Sequence, residues 1–486
     1  MNEEIREQEP KILWNKFADL NEVPRPSKKE ERVIEFMKNF GNKLKLETIV
    51  DNVGNVIIRK QATSGMEDRK AVVLQSHLDM VHQKNNSTQF DFDTQGIEMY
   101  VDGDWVRARG TTLGADNGIG VATIMAILES DSIAHPAIEA LFTIDEETGM
   151  TGAKGLEPGL LQGEILLNLD TEEDDEIGIG CAGGVDVTAT RRYNEEETSE
   201  GMSAFKITLN GLQGGHSGMD IIKGLGNANK LMNRLLYNAS ENFGIHIAEI
   251  NGGGLRNAIP RESEAIVLVD DFQIKAFESE LENEFEAIKA EFLNLEPNIN
   301  LTVEKVEVPT KVMAMETQEI LLKTIYAAHN GVFRMSPEIE GLVETSNNIA
   351  KVEVKSGKVN IKCLSRSSVE TSKDDLTNAL RAVFELAGFE VSLSGDYPGW
   401  APNRDSDILK VLDNLYTKLF NEKADVAACH AGLECGIIGS HYPEMDMISF
   451  GPTIRGAHSP DERASISSSQ KYWEFVLEIL KNIPKK

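Results

Sequence analysis

Three times in its first 170 residues the chain runs a short apolar segment straight into an acid or an imidazole, and no other feature limits its possible folds as much. Residues 71–75 stop at Ser76-His77-Leu78-Asp79, residues 137–143 run into Asp145-Glu146-Glu147, and residues 164–169 end at Asp170. Continuous apolar runs of this length read as strands buried on both faces. Between the first two lies the loop Arg109 to Gly118, which carries Asp116 and leads into an apolar helix over residues 119–128. Strands alternating with helices predict a three-layer α/β domain, and open sheets of that kind present their functional groups at the carboxyl ends of the strands.

With 486 residues the chain exceeds what one hydrophobic core usually serves, so at least two domains are expected. Residues 10–44 carry helical periodicity, and β-like runs follow at 46–50 and 55–59. After Gly180 the composition changes, and the acidic stretch 191–201 reads as a hinge, a hairpin or a surface loop. An α+β pattern then covers residues 204–293 and recurs over 318–394. From Trp400 the α/β pattern resumes, with a helix at 406–420, a strand at 445–450 and a final amphipathic helix at 467–483. The expected organisation is a first domain segment 1–184, an inserted α+β domain 185–396 of two similar halves, and a second segment 397–486 that returns to the first sheet.

Charge removes several function classes. Lys and Arg number 49 against 79 Asp and Glu, a net −30, and no concentrated basic patch offers nucleic acid a footing. Four scattered cysteines, Cys181, Cys363, Cys429 and Cys435, form no disulfide framework and no CxxC pair, which indicates a reducing compartment. The first residues are acidic where a signal peptide needs a basic region, and no stretch approaches a membrane span of roughly 20 apolar residues. The expectation is a cytoplasmic protein with no membrane partner.

His77, Asp79, Asp116, Glu146, Glu147 and Asp170 all follow predicted strands or open a helix, and His458 joins them from Gly451 to Pro460. Taken singly, Glu146-Glu147 reads as a solvated acidic turn and Asp116-Asn117-Gly118 as a turn before a helix. Taken as a set they are hard oxygen donors with neutral imidazoles, which suits zinc, manganese or cobalt rather than a thiolate site. If five of them hold two metals and share one carboxylate, the ions sit roughly 3.5 to 4 Å apart with a water between them that becomes nucleophilic near neutral pH. A free carboxylate alongside serves as general base.

In this order, Ser76-His77-Leu78-Asp79, Gly114-Ala115-Asp116-Asn117-Gly118, Asp145-Glu146-Glu147-Thr148-Gly149, Leu169-Asp170 and Gly456-Ala457-His458-Ser459-Pro460 resemble the metal motifs of the M20 metallopeptidases. The long insertion, Gly214-Gly215-His216-Ser217-Gly218 and His430-Ala431-Gly432-Leu433-Glu434-Cys435-Gly436 resemble the aminoacyl-histidine dipeptidase branch. The resemblance implies a zinc-peptidase-like catalytic domain with the inserted domain as a lid, and two divalent metals, zinc first, with manganese or cobalt as alternatives. Asp116 is then the bridging carboxylate, followed by a cis peptide. His77 and Asp170 complete one metal, and Glu147 and His458 the other. Glu146 is the general base and Asp79 orients His77. His216 is the lid histidine at the oxyanion, Asn257 and Arg366, with Arg261, are candidates for the substrate carboxylate, and Glu434 for its ammonium. The implied activity is hydrolysis of dipeptides, Xaa-His dipeptides such as β-alanyl-histidine included, by a homodimer. A tripeptidase or an N-acyl amino acid deacylase is the alternative.

Overall fold

The computed structural model describes residues 2–486. Its contacts divide the chain into two units: residues up to Gly180 with Trp400–Ala428 and Leu433–Lys486, and Cys181–Gly399 with Cys429–Gly432.

The first unit is built on an eight-stranded sheet, in the order Glu47–Val50, Val56–Lys60, Ile138–Thr143, Val72–His77, Ile165–Asn168, Asp446–Ser449, Glu176–Cys181 and Asp425–Cys429. The four strands from Ile138–Thr143 to Asp446–Ser449 pair in parallel. Three of these are buried along their whole length, which is why they read in the sequence as unbroken apolar runs. Parallel neighbours share one carboxyl end, so the residues after His77, Thr143, Asn168 and Ser449 leave the sheet on the same side. The helix Ala115–Glu129 is buried around almost its entire circumference.

The periodic stretch 10–44 is two helices rather than one, Lys11–Asn21 and Glu31–Lys43. Pro24 and Pro26 lie between them, where each removes an amide donor a helix would need. Four short strands, Ile454–Arg455, Arg463–Ser465, Trp105–Ala108 and Met99–Asp102, make a small sheet that the sequence did not announce.

The second unit holds a nine-stranded antiparallel sheet. Eight strands run in the order Asn300–Val306, Met202–Asn210, Ser263–Asp270, His246–Gly253, Val343–Lys355, Lys358–Ser367, Gly183–Arg192 and Glu390–Tyr397, and Gly331–Met335 pairs with Val343–Lys355. Helices Ala228–Phe243, Ile274–Glu291, Met315–Ala327 and Glu370–Leu386 add apolar side chains to its core. Two four-stranded sets meet at the pairing of His246–Gly253 with Val343–Lys355. In each set the spatial order from the outside inward is last, first, third and second strand in chain order. The first strand of the second set, Gly183–Arg192, precedes the whole first set in the chain. Part of the stretch expected as loop or hinge is therefore strand, and Glu195–Glu197 adds a further short strand paired with Lys311–Met313. Among the described residues no helix is long and apolar enough to cross a membrane.

Candidate active site

His77 is the last residue of the strand Val72–His77 and is almost fully buried. Its neighbour Asp79 is wholly buried and organises the end of the sheet. Asp79 Oδ1 lies 3.3 Å from His77 Nδ1 and accepts from the Glu146 amide at 3.0 Å, while Oδ2 accepts from the Ser27 hydroxyl at 2.8 Å and the Glu147 amide at 3.3 Å. One carboxylate thus aims an imidazole and fixes the short helix Glu146–Gly149. Asp145, just before that helix, is buried and paired with Lys28.

With Nδ1 turned to Asp79, His77 presents Nε2 to Asp116 Oδ1 at 3.1 Å and to Asp170 Oδ1 at 3.5 Å. On the other side His458 presents Nε2 to Asp116 Oδ2 at 3.2 Å and Glu147 Oε2 at 3.0 Å. Asp116 therefore gives one oxygen to each of two three-residue groups that could hold a metal ion, His77–Asp116–Asp170 and Asp116–Glu147–His458. A third grouping, His77–Glu146–Glu147, sets Glu146 beside both. The peptide bond between Asp116 and Asn117 is cis. The Asn117 amide donates to the Leu169 carbonyl at 2.7 Å and to Asp170 Oδ1, tying the segment of Asp116 to that of Asp170. His458 stands at φ +62°, a conformation that side-chain-bearing residues rarely adopt.

The donor geometry fits a pair of divalent cations. Tetrahedral zinc with bonds of about 2.0 to 2.1 Å separates its ligand atoms by roughly 3.3 Å, and the four Nε2-to-oxygen separations here run from 3.0 to 3.5 Å. Each Nε2 faces two carboxylates with at most one proton to offer, whereas one cation satisfies all three donors. Glu147 Oε1 is buried and has no hydrogen-bond partner.

Electrostatics point the same way. Hydrogen bonds to Asp116 and Glu147 lift the His458 imidazole to about 11, against its burial. Burial works to lower His77 too, yet Asp170 and Asp116 hold it well above its ordinary value. Burial drives Glu146 well above the usual carboxylate range; His77 opposes this, and Asp170, Glu434 and Glu147 add to it. The pocket collects positive charge, as protons or as metal ions that displace them.

Two residues that the sequence reading passed over hold this arrangement together. Glu462, buried, accepts from four consecutive backbone amides: Leu113 and Gly114 at 2.7 and 3.0 Å on Oε2, and Ala115 and Asp116 at 2.7 and 3.3 Å on Oε1. Arg25, equally buried, donates to the carbonyls of Leu78, Asp79 and Gly114 at 3.1, 3.1 and 2.6 Å, clasping the loops after His77 and before Asp116. Glu462 lies some 350 positions from the loop it grips and Arg25 sits in a Pro-Arg-Pro turn, so spacing carried no signal for either. Glu434 opens the helix Glu434–His441, buried, and receives hydrogen bonds from Gln75 at 2.7 Å and Thr143 at 2.6 Å.

The remaining candidates belong to the second unit. His216 pairs with Ala258 across a short two-stranded ribbon, and its Nδ1 accepts from the amides of Gly218 and Met219 at 3.2 and 3.1 Å. Burial and the nearby Arg366 lower its pKa, so the ring is neutral with its proton on Nε2. Arg366 is buried, bonded to the Tyr397 hydroxyl at 2.8 Å, and its Nε has no partner. Asn257 and Arg261 are exposed. His430 is buried with Nε2 2.8 Å from the Ser346 hydroxyl.

Comparison with known proteins bears on this constellation. The profile of peptidase family M20/M25/M40 matches residues 73–482. The cytosol non-specific dipeptidase of Escherichia coli is 43% identical over 483 residues, 99% of this chain and 100% of that protein. The crystal structure of aminoacylhistidine dipeptidase from Vibrio alginolyticus matches with a TM-score of 0.93 at 43% identity, over 99% of this chain and 98% of that one. A tripeptidase from Staphylococcus aureus matches with a TM-score of 0.56 at 16% identity, over 98% and 99% of the two chains, a likeness of fold alone.

Proposed function

The chain belongs to peptidase family M20/M25/M40, and from that premise we propose that it is a two-metal dipeptidase that cleaves the peptide bond of free dipeptides, including Xaa-His dipeptides. The observation that carries this reading is the pair of ligand groups meeting at the two oxygens of Asp116, with the carboxylate of Glu146 alongside. The 43% identity to a dipeptidase over the whole chain supports the substrate class.

His77, Asp116 and Asp170 are assigned to one divalent ion and Asp116, Glu147 and His458 to the other, with zinc preferred over manganese or cobalt. Two such ions supply charge stabilisation for the carbonyl oxygen and a water acidic enough to attack near neutral pH. Glu146, outside both groups and beside them, takes the proton from the attacking water as a carboxylate and delivers it to the leaving amine nitrogen. Asp79 keeps His77 in the tautomer that leaves Nε2 free for a ligand. His216, with its proton on Nε2, is assigned as donor to the developing oxyanion. Arg366 is assigned to the substrate carboxylate in preference to Arg261, because it is buried with its Nε donor unpartnered whereas Arg261 is exposed. Asn257 is assigned to the same end and Glu434 to the amino end. A homodimer in the cytoplasm completes the proposal; the name of the E. coli relative supports the compartment.

Metal-reconstituted protein tested on β-alanyl-histidine, leucyl-histidine, alanyl-alanine, a tripeptide and an N-acetyl amino acid decides the substrate class. Metal-dependent cleavage of the free dipeptides is expected. Cleavage confined to the tripeptide or to the acetylated compound overturns the dipeptidase assignment.

A further inference from the structure

A row of buried polar side chains crosses the four parallel strands without belonging to either ligand group. Gln75, Asn168 and Ser449 stand directly opposite one another on adjacent strands. The Ser449 hydroxyl donates to Asn168 Oδ1 at 2.5 Å, Asn168 Nδ2 donates to Gln75 Oε1 at 2.5 Å, and Gln75 Nε2 donates to Glu434 Oε2 at 2.7 Å. Thr143, on the fourth strand, accepts from Gln75 Nε2 at 3.1 Å and gives its own proton to Glu434 Oε2 at 2.6 Å. At the far end Thr171 and Ser449 join their hydroxyls at 2.7 Å. Because Ser449 spends its proton on Asn168, Thr171 must be the donor there, so every bond in the row points toward Glu434.

Such a row is costly to build. Gln75, Asn168, Ser449 and Thr143 are completely buried and Glu434 nearly so, among strands whose buried positions are mostly apolar. Polar groups withdrawn from water destabilise unless each finds a partner, and apolar side chains in their place avoid that cost. What the row achieves is orientation. Both of its terminal donors fall on Glu434 Oε2, leaving Oε1 buried with no hydrogen-bond partner. A buried carboxylate oxygen left open calls for a donor or a cation, and Glu434 is in neither group that could hold a metal ion. An ammonium, compact and with three donors, is the complement such an oxygen takes.

We propose that Gln75, Asn168, Ser449 and Thr143 form a positioning device that turns the Glu434 carboxylate so that Oε1 receives the substrate's free ammonium, and that this device selects peptides with an unblocked amino end. The proposal rests on the dipeptidase reading and adds its basis for amino-end selection. Glu434 touches the substrate; the other four act through it.

The test compares kcat/KM for alanyl-histidine and for propionyl-histidine, which differs only in lacking the amino group, using zinc-loaded protein. The wild-type chain should favour alanyl-histidine by at least about a hundredfold, since a site built around a buried polar contact rejects the analogue that leaves it unmet. Glu434→Gln should bring the ratio to within about tenfold, and Thr143→Val should lower it by about tenfold through KM for alanyl-histidine, while Thr143→Ser keeps it. Propionyl-histidine hydrolysis should stay within about threefold in Thr143→Val and Thr143→Ser, because neither touches the substrate and only the aim of Glu434 is altered. A structural role would instead depress both substrates together and leave the ratio unchanged, which overturns the proposal. So does a wild-type chain that turns over both compounds equally, with the dipeptidase reading intact. Failure to cleave either compound overturns that reading and the proposal with it. Glu434→Gln, which preserves volume, carries the test should Thr143→Val fail to fold.

Discussion

Glu462→Gln perturbs the site without altering the side chain of a proposed ligand or changing a side chain's shape. The carboxylate accepts four backbone amides, two on each oxygen. A glutamine amide has one oxygen, so whichever way it turns, two of the four N–H groups face an NH2 group instead of an acceptor. Hydrogen bonds to a charged group contribute about 1.5 to 3 kcal/mol each, so losing two removes about 3 to 6 kcal/mol. The bonds that remain, now to a neutral oxygen, weaken by roughly half. Against this, the variant no longer buries a charge, a relief of up to several kcal/mol. Burial raises the Glu462 carboxyl to about 7, so the relief is substantial and the net loss should be about 2 to 4 kcal/mol. The slackened loop carries Asp116, and loosening the support of a metal ligand typically weakens affinity about 10- to 100-fold. Urea denaturation of the metal-free protein reads the first effect, and competition with a chromophoric chelator reads the second. Stability within about 0.5 kcal/mol of wild type together with unchanged zinc affinity would mean that Glu462 does not hold the loop, and leave Arg25 as its anchor.

Glu146→Gln should abolish turnover while metal content by elemental analysis stays near wild type, since the role proposed for it is proton transfer; loss of both metals contradicts that role. His216→Ala should lower kcat by roughly a hundredfold to a thousandfold, the cost of one oxyanion donor, with the metals undisturbed; unchanged kcat removes it from the reaction. His430 should make stability pH-dependent. Burial, with Arg366 and His216 nearby, pushes its pKa down to about 3, so below its unfolded value near 6.5 the unfolded chain takes up a proton that the fold refuses. Its contribution is complete above pH 6.5 and declines as pH falls toward 3, by about 2 to 3 kcal/mol at pH 4.5. His430→Asn should therefore show a flatter fall in stability between pH 6.5 and 4.5 by chemical denaturation, and a curve parallel to wild type contradicts the assignment.

The parts of the fold legible in the sequence are those where one physical signal acts alone. Val72–His77, Ile138–Thr143 and Ile165–Asn168 are buried on both faces, so their apolar runs are unmixed, and the residues that end them converge because parallel strands share a carboxyl end. Gly183–Arg192 was not legible: only part of it is buried, and its polar end merges with an acidic segment that has loop composition. The hairpin Met99–Asp102 and Trp105–Ala108 is too short to show a period. At the site, residue types in order suffice to mark His77, Asp116, Glu147, Asp170 and His458 as a group. Residues that act through backbone atoms, such as Glu462 and Arg25, carry no such mark, because their partners have no side-chain identity to read.

In the two-metal proposal Asp116 joins two cation sites, and activity requires both. Stripped protein titrated with zinc, with bound metal and alanyl-histidine hydrolysis followed together, tests it most directly. Binding should saturate at two ions per chain, hydrolysis should reach its maximum only with the second, and Asp116→Ala should abolish it. Full hydrolysis at one ion per chain, or hydrolysis that persists after stripping, would contradict the two-metal proposal.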